Sequence, residues 1–467
     1  MTANLQPYPE YKAAGLPWLP QMPAHWGIKR GKSVFQSIDH RSATGKEELL
    51  TVSSARGVVP RRTASVTMFK AESYLGYKLC WPGDLVINSL WAWGGGLGVS
   101  RHHGIISSAY GVYRIRSGAP LISDYVHELV RSSAFHWELQ VRSKGVWISR
   151  LQLTDGSFLD APIPLPPPEE QAAMVRFLDY ANGRLERAVR AKRKVIALLH
   201  EQKQATLHRA VTGQDQVIEQ KRADGTSAFS LQPSALPKKP SGIPWLGDIP
   251  KHWEVQRLKF LTHIKTGGRD TVDRIDDGPY PFFVRSQTVE RIDTFSFDGE
   301  AVLTAGDGAG VGKVFHYVNG KFEYHQRVYK FSNFRRITGK FFFHYFKSSL
   351  RFEALDASAK STVDSLRLPL LQNFPTVLPP TSEQQNIVRW IDAESGPVDT
   401  AISRLEREIS LLREYRTRLV ADVVTGKLDV RPAARHLPAE TQEAETAAEI
   451  GTEQDEAPQE VTTYEES

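Results

Sequence analysis

The chain has 467 residues, 40% apolar and 10% aromatic, which is enough for two or three ordinary cores rather than one. Its lone cysteine, Cys80, excludes an internal disulfide and any all-cysteine metal cluster, and fits a reducing cytosol. No run approaches the ~20 apolar residues of a membrane span, and the polar start Met1–Glu10 has no signal-peptide pattern, so a cytoplasmic protein is expected. The net charge of +6 is unevenly spread: His436–Ser467 holds ten acidic residues and no Lys or Arg, leaving 59 basic against 43 acidic residues in the body. A basic body suits a nucleic-acid partner, although many soluble proteins are basic.

The first recognisable segment, Gly15-Leu-Pro-Trp-Leu-Pro-Gln-Met-Pro-Ala-His-Trp-Gly-Ile-Lys-Arg30, returns as Gly242-Ile-Pro-Trp-Leu-Gly-Asp-Ile-Pro-Lys-His-Trp-Glu-Val-Gln-Arg257, with eight of sixteen positions identical at an offset of 227. A second set of matches runs at an offset of 213: Pro166-Pro167 with Pro379-Pro380, Glu170-Gln171 with Glu383-Gln384, Leu198-Leu199 with Leu411-Leu412, and Val211-Thr-Gly213 with Val424-Thr-Gly426. The stretches between, roughly 31–163 and 258–376, are unlike each other. One duplicated frame therefore holds two divergent inserts, as one geometry presenting two specificities would; simple drift of the inserts is the alternative.

Within the first insert, Asp84–Asn88 and Gly111–Ile115 read as strands and Asp124–Val130 as a core helix. Between them lies Trp91-Ala-Trp-Gly-Gly-Gly-Leu-Gly-Val-Ser-Arg-His-His103, a glycine-rich loop with aromatic and basic side chains. After Pro168 the pattern becomes helical, with Glu169 and Glu170 suited to a first turn. Gly183 is expected to part a short helix from one of about 30 residues, some 45 Å long. That helix should end at the Gly213 cap.

Residues 214–241 read as a linker. In the second insert Ala301–Thr304 and Arg327–Phe331 read as strands and Phe341–Phe346 as a core helix. Its loops carry Arg285 and Ser286, then Gly306-Asp-Gly-Ala-Gly-Val-Gly-Lys313, then His325-Gln-Arg327. The glycine run is not a P-loop, because Asp307 stands where Gly is needed and Val314 where Ser or Thr is needed. His102-His103 has no third metal ligand at suitable spacing. Arg and Lys can bond guanine edges and Gln can bond adenine, while glycines let a backbone approach phosphates; for each such residue an ordinary turn or surface charge is the alternative.

In the second conserved region Gly396-Pro397 should again break the helix. Beyond it Ile402, Leu405, Ile409, Leu412, Arg416, Leu419 and Val423 form a 3-4 spaced seam, matched in the first copy by Val189, Lys192, Ile196, Leu199, Lys203, Thr206 and Ala210. A narrow apolar seam with charged flanks wants a second helix. Its own duplicate is the nearest candidate, and packing of each helix on its own domain is the alternative.

With these motifs in view the chain resembles the specificity (S) subunit of type I restriction–modification systems. The resemblance rests on the two Pro-Trp…His-Trp segments, on Pro164-Leu-Pro-Pro-Pro-Glu-Glu-Gln171 and Leu378-Pro-Pro-Thr-Ser-Glu-Gln-Gln385, and on the Gly-Asp-Gly run. It implies an α+β architecture: two globular target-recognition domains joined by two long helices that form an antiparallel intramolecular coiled coil with pseudo-twofold symmetry. The expected division is an N-terminal recognition domain (1–163), a first helical region (164–213), a linker (214–241), a C-terminal recognition domain (242–376), a second helical region (377–430) and a disordered acidic tail (431–467).

The resemblance further implies a chain with no catalytic residues, metal or cofactor of its own. It would recognise double-stranded DNA and dock two modification (methyltransferase) subunits and restriction (motor-nuclease) subunits. Those partners would hold S-adenosylmethionine, ATP and Mg. Candidate DNA-binding residues are Trp91, Trp93, Arg101, His102, His103, Arg285, Ser286, Lys313, His325, Gln326 and Arg327. Candidate spacer residues are Val189, Ile196, Leu199, Ile402, Leu405, Ile409, Leu412 and Leu419. A standalone two-domain DNA-binding regulator is the competing reading.

Overall fold

The computed structural model describes residues 5–64, 71–145, 151–224, 227–356 and 365–438. Two compact units result, one formed by residues up to Ala191 and from Arg407 onward, the other by Lys192–Glu406. Each has its own α+β core, and each contains half of both long helices, Pro168–Val211 and Thr381–Val424.

In the first unit β1 (Gly27–Arg30) leads to β2 (Phe35–Ser37), β3 (Leu85–Ile87), β4 (Leu97–Val99) and β5 (Gly111–Ile115). These are followed by α1 (Ser123–Arg131), α2 (Ser133–Arg142) and β6 (Pro162–Leu165). A four-stranded sheet has the order β2-β5-β3-β4. The α1 face carrying Tyr125, Val126, Leu129 and Val130 is buried, and Ser132 caps α2 by accepting from the Phe135 amide. This core extends through Phe177 and Leu178 of the first long helix to Leu419, Val423 and Val424 of the second. Each such fully buried side chain contributes about 1.5–3 kcal/mol.

The second unit comprises β7 (Glu254–Arg257), β8 (His263–Thr266), β9 (Tyr280–Phe283), β10 (Val289–Ile292), β11 (Phe297–Ala305), β12 (Phe315–Tyr324), β13 (Val328–Ser332), α3 (Gly339–Asp356) and β14 (Pro375–Leu378). Six strands pair in the order β8-β13-β11-β12-β9-β10. Phe341, Phe342, Tyr345 and Phe346 of α3 are buried with Phe331 and Trp253, and Ala210 and Val211 close the same core.

The two units repeat one frame residue for residue. β1 pairs antiparallel with β6, Gly27 against Leu165 and Arg30 against Pro162. β7 pairs with β14 in the same register, Glu254 against Leu378 and Arg257 against Pro375. Trp26 donates its indole N–H to Glu170 at 2.8 Å and His25 meets the other oxygen at 2.6 Å; Trp253 and His252 hold Glu383 at 2.9 and 2.6 Å. Gln171 donates to the carbonyls of Pro166 and Pro120 and accepts the Ile122 amide ahead of α1. Gln384 donates to Pro379 and Arg336 and accepts the Thr338 amide ahead of α3.

Both helix caps are left-handed glycines, Gly213 at φ 72° and Gly426 at φ 73°. A Cβ on Gly213 would meet Pro250 at 2.5 Å and Trp253 at 2.9 Å, and one on Gly426 would meet Pro23 at 2.5 Å and Trp26 at 2.8 Å. The duplicated Pro-x-His-Trp motif is thus the seat of a helix start and of a helix end.

Neither expected helix break exists. Each long helix runs unbroken for 44 residues, about 66 Å rather than 45 Å, through Gly183 in one case and Pro397 in the other. Pro397 is exposed, so its ring and the Ala393 carbonyl it leaves unpaired lie on the solvent side. Within each unit the halves run antiparallel: Arg416 meets Glu186 at 3.2 Å in the first and Lys203 meets Asp399 at 2.6 Å in the second. Ile402, Ile409, Leu419 and Val423 are buried, whereas Leu405, Leu412, Val189, Ile196 and Leu199 are half-buried. Leu199, Lys203 and Thr206 line a groove with Trp390, Ile391 and Val398.

The expected linker is not structureless, since Asp215–Lys221 and Ser227–Pro233 form an antiparallel hairpin. The expected tail starts late. Arg431–Arg435 is a short helix, and Val430 and Ala434 are buried in the first core. The acidic run beyond 438 lies outside the described residues.

Two outcomes follow. Pro397→Ala restores an interior helical hydrogen bond at an exposed site and is expected to stabilise the second unit by up to about 3 kcal/mol; an unchanged or lower urea midpoint would contradict this. Glu170 is 6% exposed and also receives Arg431 at 2.8 Å, whereas Glu383 is 37% exposed. Glu170→Ala leaves the buried Trp26 N–H unpaired and should therefore cost about 2–3 kcal/mol, and Glu383→Ala about 1 kcal/mol, read as the shift in urea midpoint followed by tryptophan fluorescence.

Candidate nucleic-acid interface

In the second unit, loops from four strand ends meet. The segment after β8 is tied to the β12–β13 turn by the Gln326 amide, which donates to the Arg269 carbonyl at 2.8 Å. That turn is tied to the segment after β11 by the Gly306 amide, which donates to the Arg327 carbonyl at 2.8 Å. The segment after β9 joins through Gln287, whose side chain donates to the Lys313 carbonyl at 2.8 Å. Arg285, Ser286, Lys313, Gln326 and Arg327 are thereby gathered, all exposed.

His325 is different: its side chain is 2% exposed. Its Nδ1 accepts the Arg327 amide at 2.9 Å and its Nε2 faces Asp270 at 3.6 Å. Burial, ahead of the opposing pull of Asp270, lowers its pKa, so the ring is neutral at pH 7 with its proton on Nε2. His325 shapes the turn; it offers no surface to a ligand.

Two acids organise the exposed side chains. Asp270 accepts from the Gln326 side chain at 2.6 Å; the Thr271 amide, ahead of His325 and Gln326, holds its carboxyl below the usual range. Asp307 takes Arg285 on one oxygen at 3.2 Å and Arg327 on the other at 2.6 Å. Partial burial works to raise the Asp307 pKa, and the hydrogen bonds from Arg327 and Arg285 outweigh it. The glycines here serve loop packing. A Cβ on Gly310 would lie 2.5 Å from the Arg285 carbonyl, and one on Gly306 would lie 3.0 Å from that of Arg327.

In the first unit the loop after β3 exposes Leu90 and Trp91. Trp91 stacks obliquely on the half-buried Trp93 at 4.7 Å, and Trp93 donates its ring N–H to the Leu90 carbonyl at 3.1 Å. Gly94 and Gly96 lie against the Trp91 indole, where a Cβ would come within 2.6 and 3.0 Å. Within this run Gly94 and Gly96 therefore make the seat of a tryptophan. The loop after β4 presents Arg101 and His103, both exposed, and His102, half-buried, whose carbonyl accepts the Ser100 hydroxyl. His103 packs on Trp81 at 5.3 Å, and Arg114 lies over the same ring while forking onto Asp84 at 2.7 and 2.8 Å.

These loops are braced from α1. Arg131 donates to the Leu97 carbonyl and to those of Ser54 and Ala55, each at 2.8 Å, and His127 accepts the Val99 amide at 3.2 Å. Among the described residues no group of three or more His, Cys, Asp or Glu side chains could hold a metal, and no helix is long and apolar enough to cross a membrane.

Sequence reasoning singled out the exposed basic and amide residues but missed Asp270, Asp307, His127 and Arg131. Asp307 was in view, as an acid among glycines between basic loops, and that pattern is the signal that could have found it.

Residues 250–406 match the family described as the type I restriction modification DNA specificity domain. That stretch, all of it in the second unit, is thus similar to a type I DNA specificity domain. The specificity subunit of the type I restriction enzyme EcoDI of Escherichia coli is 28% identical over 182 residues, covering 39% of this chain and 40% of its own length. The EcoBI specificity subunit of the same organism is 34% identical over 90 residues, 19% of each chain. The aligned stretches thus span less than half the length of these relatives. A chain solved in work on complex assembly and conformational transition of the type I R-M system shares the fold, with a TM-score of 0.60 at 17% identity, over 86% of this chain and 98% of that one. The resemblance to type I specificity subunits holds in the family match, in these relatives and in the fold.

One consequence of the bracing is pH dependence. Burial pushes His127 down to about 3 and His344, in α3, down to about 4. Both groups take up protons more readily when unfolded, so the stability they lend is complete above pH ~6.5 and falls as the pH drops below that value, by up to ~1.4 kcal/mol per pH unit for each. Urea midpoints measured from pH 8 to pH 5 should decline below pH ~6.5, and His127→Gln should flatten the decline; a variant with an unaltered profile would reject the assignment.

Proposed function

We propose that the chain is the non-catalytic DNA-recognition subunit of a type I restriction–modification complex. Each unit reads one half of a bipartite duplex target through its loop cluster. Partner subunits perform the chemistry: two modification subunits methylate adenine with S-adenosylmethionine, and restriction subunits use ATP and Mg to drive cleavage. The complex works in the cytoplasm.

One observation carries this reading. A frame conserved down to its β1–β6 and β7–β14 registers and its His-Trp-Glu clamps bears two loop clusters with no residue pattern in common. A frame kept constant under divergent basic loops is what a protein needs when its partners dock identically twice while its two targets differ. The excess of basic over acidic residues in the body supports a phosphate-bearing ligand.

The test is an insert exchange. Residues 31–163 are replaced by the corresponding insert of another specificity subunit, and the chain is expressed with its modification subunits. Methylation mapping should show one half of the recognised sequence changed and the other intact. Change in both halves, or in neither, removes the modular reading, as does failure of the wild-type chain to co-purify with those subunits.

A further inference from the structure

We propose that Asp307 is a positioning residue that sets Arg285 and Arg327 side by side as a reader of a guanine edge, fixing one base of the half-site read by the second unit. The inference rests on the DNA-recognition reading above and adds to it the residue that aims the readers and the base they select.

The geometry is that of one carboxylate shared between two guanidiniums, Arg285 Nη1 on Oδ1 at 3.2 Å and Arg327 Nη1 on Oδ2 at 2.6 Å. Two like charges are held together only because the acid lies between them. Each arginine spends one terminal nitrogen on Asp307, and among the described residues neither guanidinium has another hydrogen-bond partner, so the remaining N–H donors of both forks are left for a ligand. Their backbones are fixed as well. Arg327 donates its amide to the buried His325 and its carbonyl accepts from Gly306, while Gly310 packs against the Arg285 carbonyl.

Stability alone does not account for this arrangement. Both arginines are substantially exposed, at 42% and 58%, and exposed ion pairs contribute only about 0–1 kcal/mol. Guanine suits the site because its major-groove edge offers two acceptors, O6 and N7, to a forked donor. Adenine places an N6 donor there instead. Asp307 also leaves the pair with a net charge of one rather than two, which weakens indiscriminate attraction to phosphate.

The experiment uses the complete chain co-purified with its modification subunits, in selection from a randomised duplex pool followed by sequencing. Arg285→Lys and Arg327→Lys keep the charge but lose the fork, and both sites are exposed, so folding is not at stake. Each should return a motif in which one guanine of one half-site has lost preference by roughly five- to 150-fold, with the other half unchanged. Asp307→Asn should lose preference at the same position while binding an unrelated duplex as tightly as wild type or more tightly. An unchanged motif in Asp307→Asn would overturn the positioning role. Lysine variants that weakened every sequence equally would make the pair a phosphate clamp and overturn the base assignment. A wild-type complex that returned no motif at all would instead sink the underlying DNA-recognition reading.

Discussion

A carboxylate at the start of each long helix holds this architecture together. Glu170 and Glu383 lie in first turns, where the helix dipole favours a negative charge, and each is gripped by an indole and an imidazole from the Pro-x-His-Trp motif far upstream. The same tryptophan is the surface on which the other long helix ends, because Gly426 packs on Trp26 and Gly213 on Trp253. Each unit is therefore closed by a piece of both repeats. The first unit needs the second helix to end on its tryptophan, and the second unit needs the first helix. Duplication here has made two sequence repeats that each contribute to both compact units.

The duplicated clamps are not equivalent. Glu170 is nearly buried and is shared with Arg431, which itself forks onto Asp429 and lies over Tyr8. Among the described residues Glu383 has no such supplement, and it is more than a third exposed. The segment 427–438 thus converts one copy of a shared motif into a buried charge network, while the other copy stays close to water. A buried carboxylate without its partners is costly, so the C-terminal segment of the body is an integral part of the first unit, through Arg431 at the carboxylate and Val430 and Ala434 in the core.

Much of the frame was readable from the residues because duplication marks what cannot vary. The two offsets, 227 and 213, define the paired strands, the helix starts and the glycine caps directly. The seam read from 3-4 spacing included Arg416 and Lys203, two basic positions that weaken an apolar seam. In the structure both make cross-helix ion pairs, with Glu186 and Asp399, a device that fixes antiparallel register more than it stabilises. The helix breaks were misread because Gly183 and Pro397 were judged by intrinsic propensity. Tertiary packing along 44 residues outweighs a local cost of about 1 kcal/mol for glycine and 3 kcal/mol for proline, and an exposed proline needs no donor on its outer side. The loops were legible only as composition. What a loop glycine packs against depends on the folded path of the chain, which composition does not give: Gly94 and Gly96 lie against Trp91 within their own loop, and Gly310 against the Arg285 carbonyl of another.

The loop clusters share a physical logic despite having no common residues. In each, exposed loops are fixed by partners that are themselves withdrawn from the surface: the half-buried His127 and Arg131 hold the backbone of the first unit's loops, and the buried His325 holds the second's, with Asp270 and Asp307 between the exposed side chains. A long side chain such as arginine has about 2 kcal/mol of rotamer entropy to lose, and anchoring it before binding removes part of that loss from the recognition step. The anchor is an acid where the reader is a base, so the same contact that orders the side chain also reduces its pull on any passing phosphate. In the proposed DNA-recognition role, affinity for the wrong sequence would fall while the geometry for the right one is kept. That trade favours discrimination over raw binding strength, and it is tolerable only if attraction to the duplex comes from elsewhere, as the basic excess of the body allows.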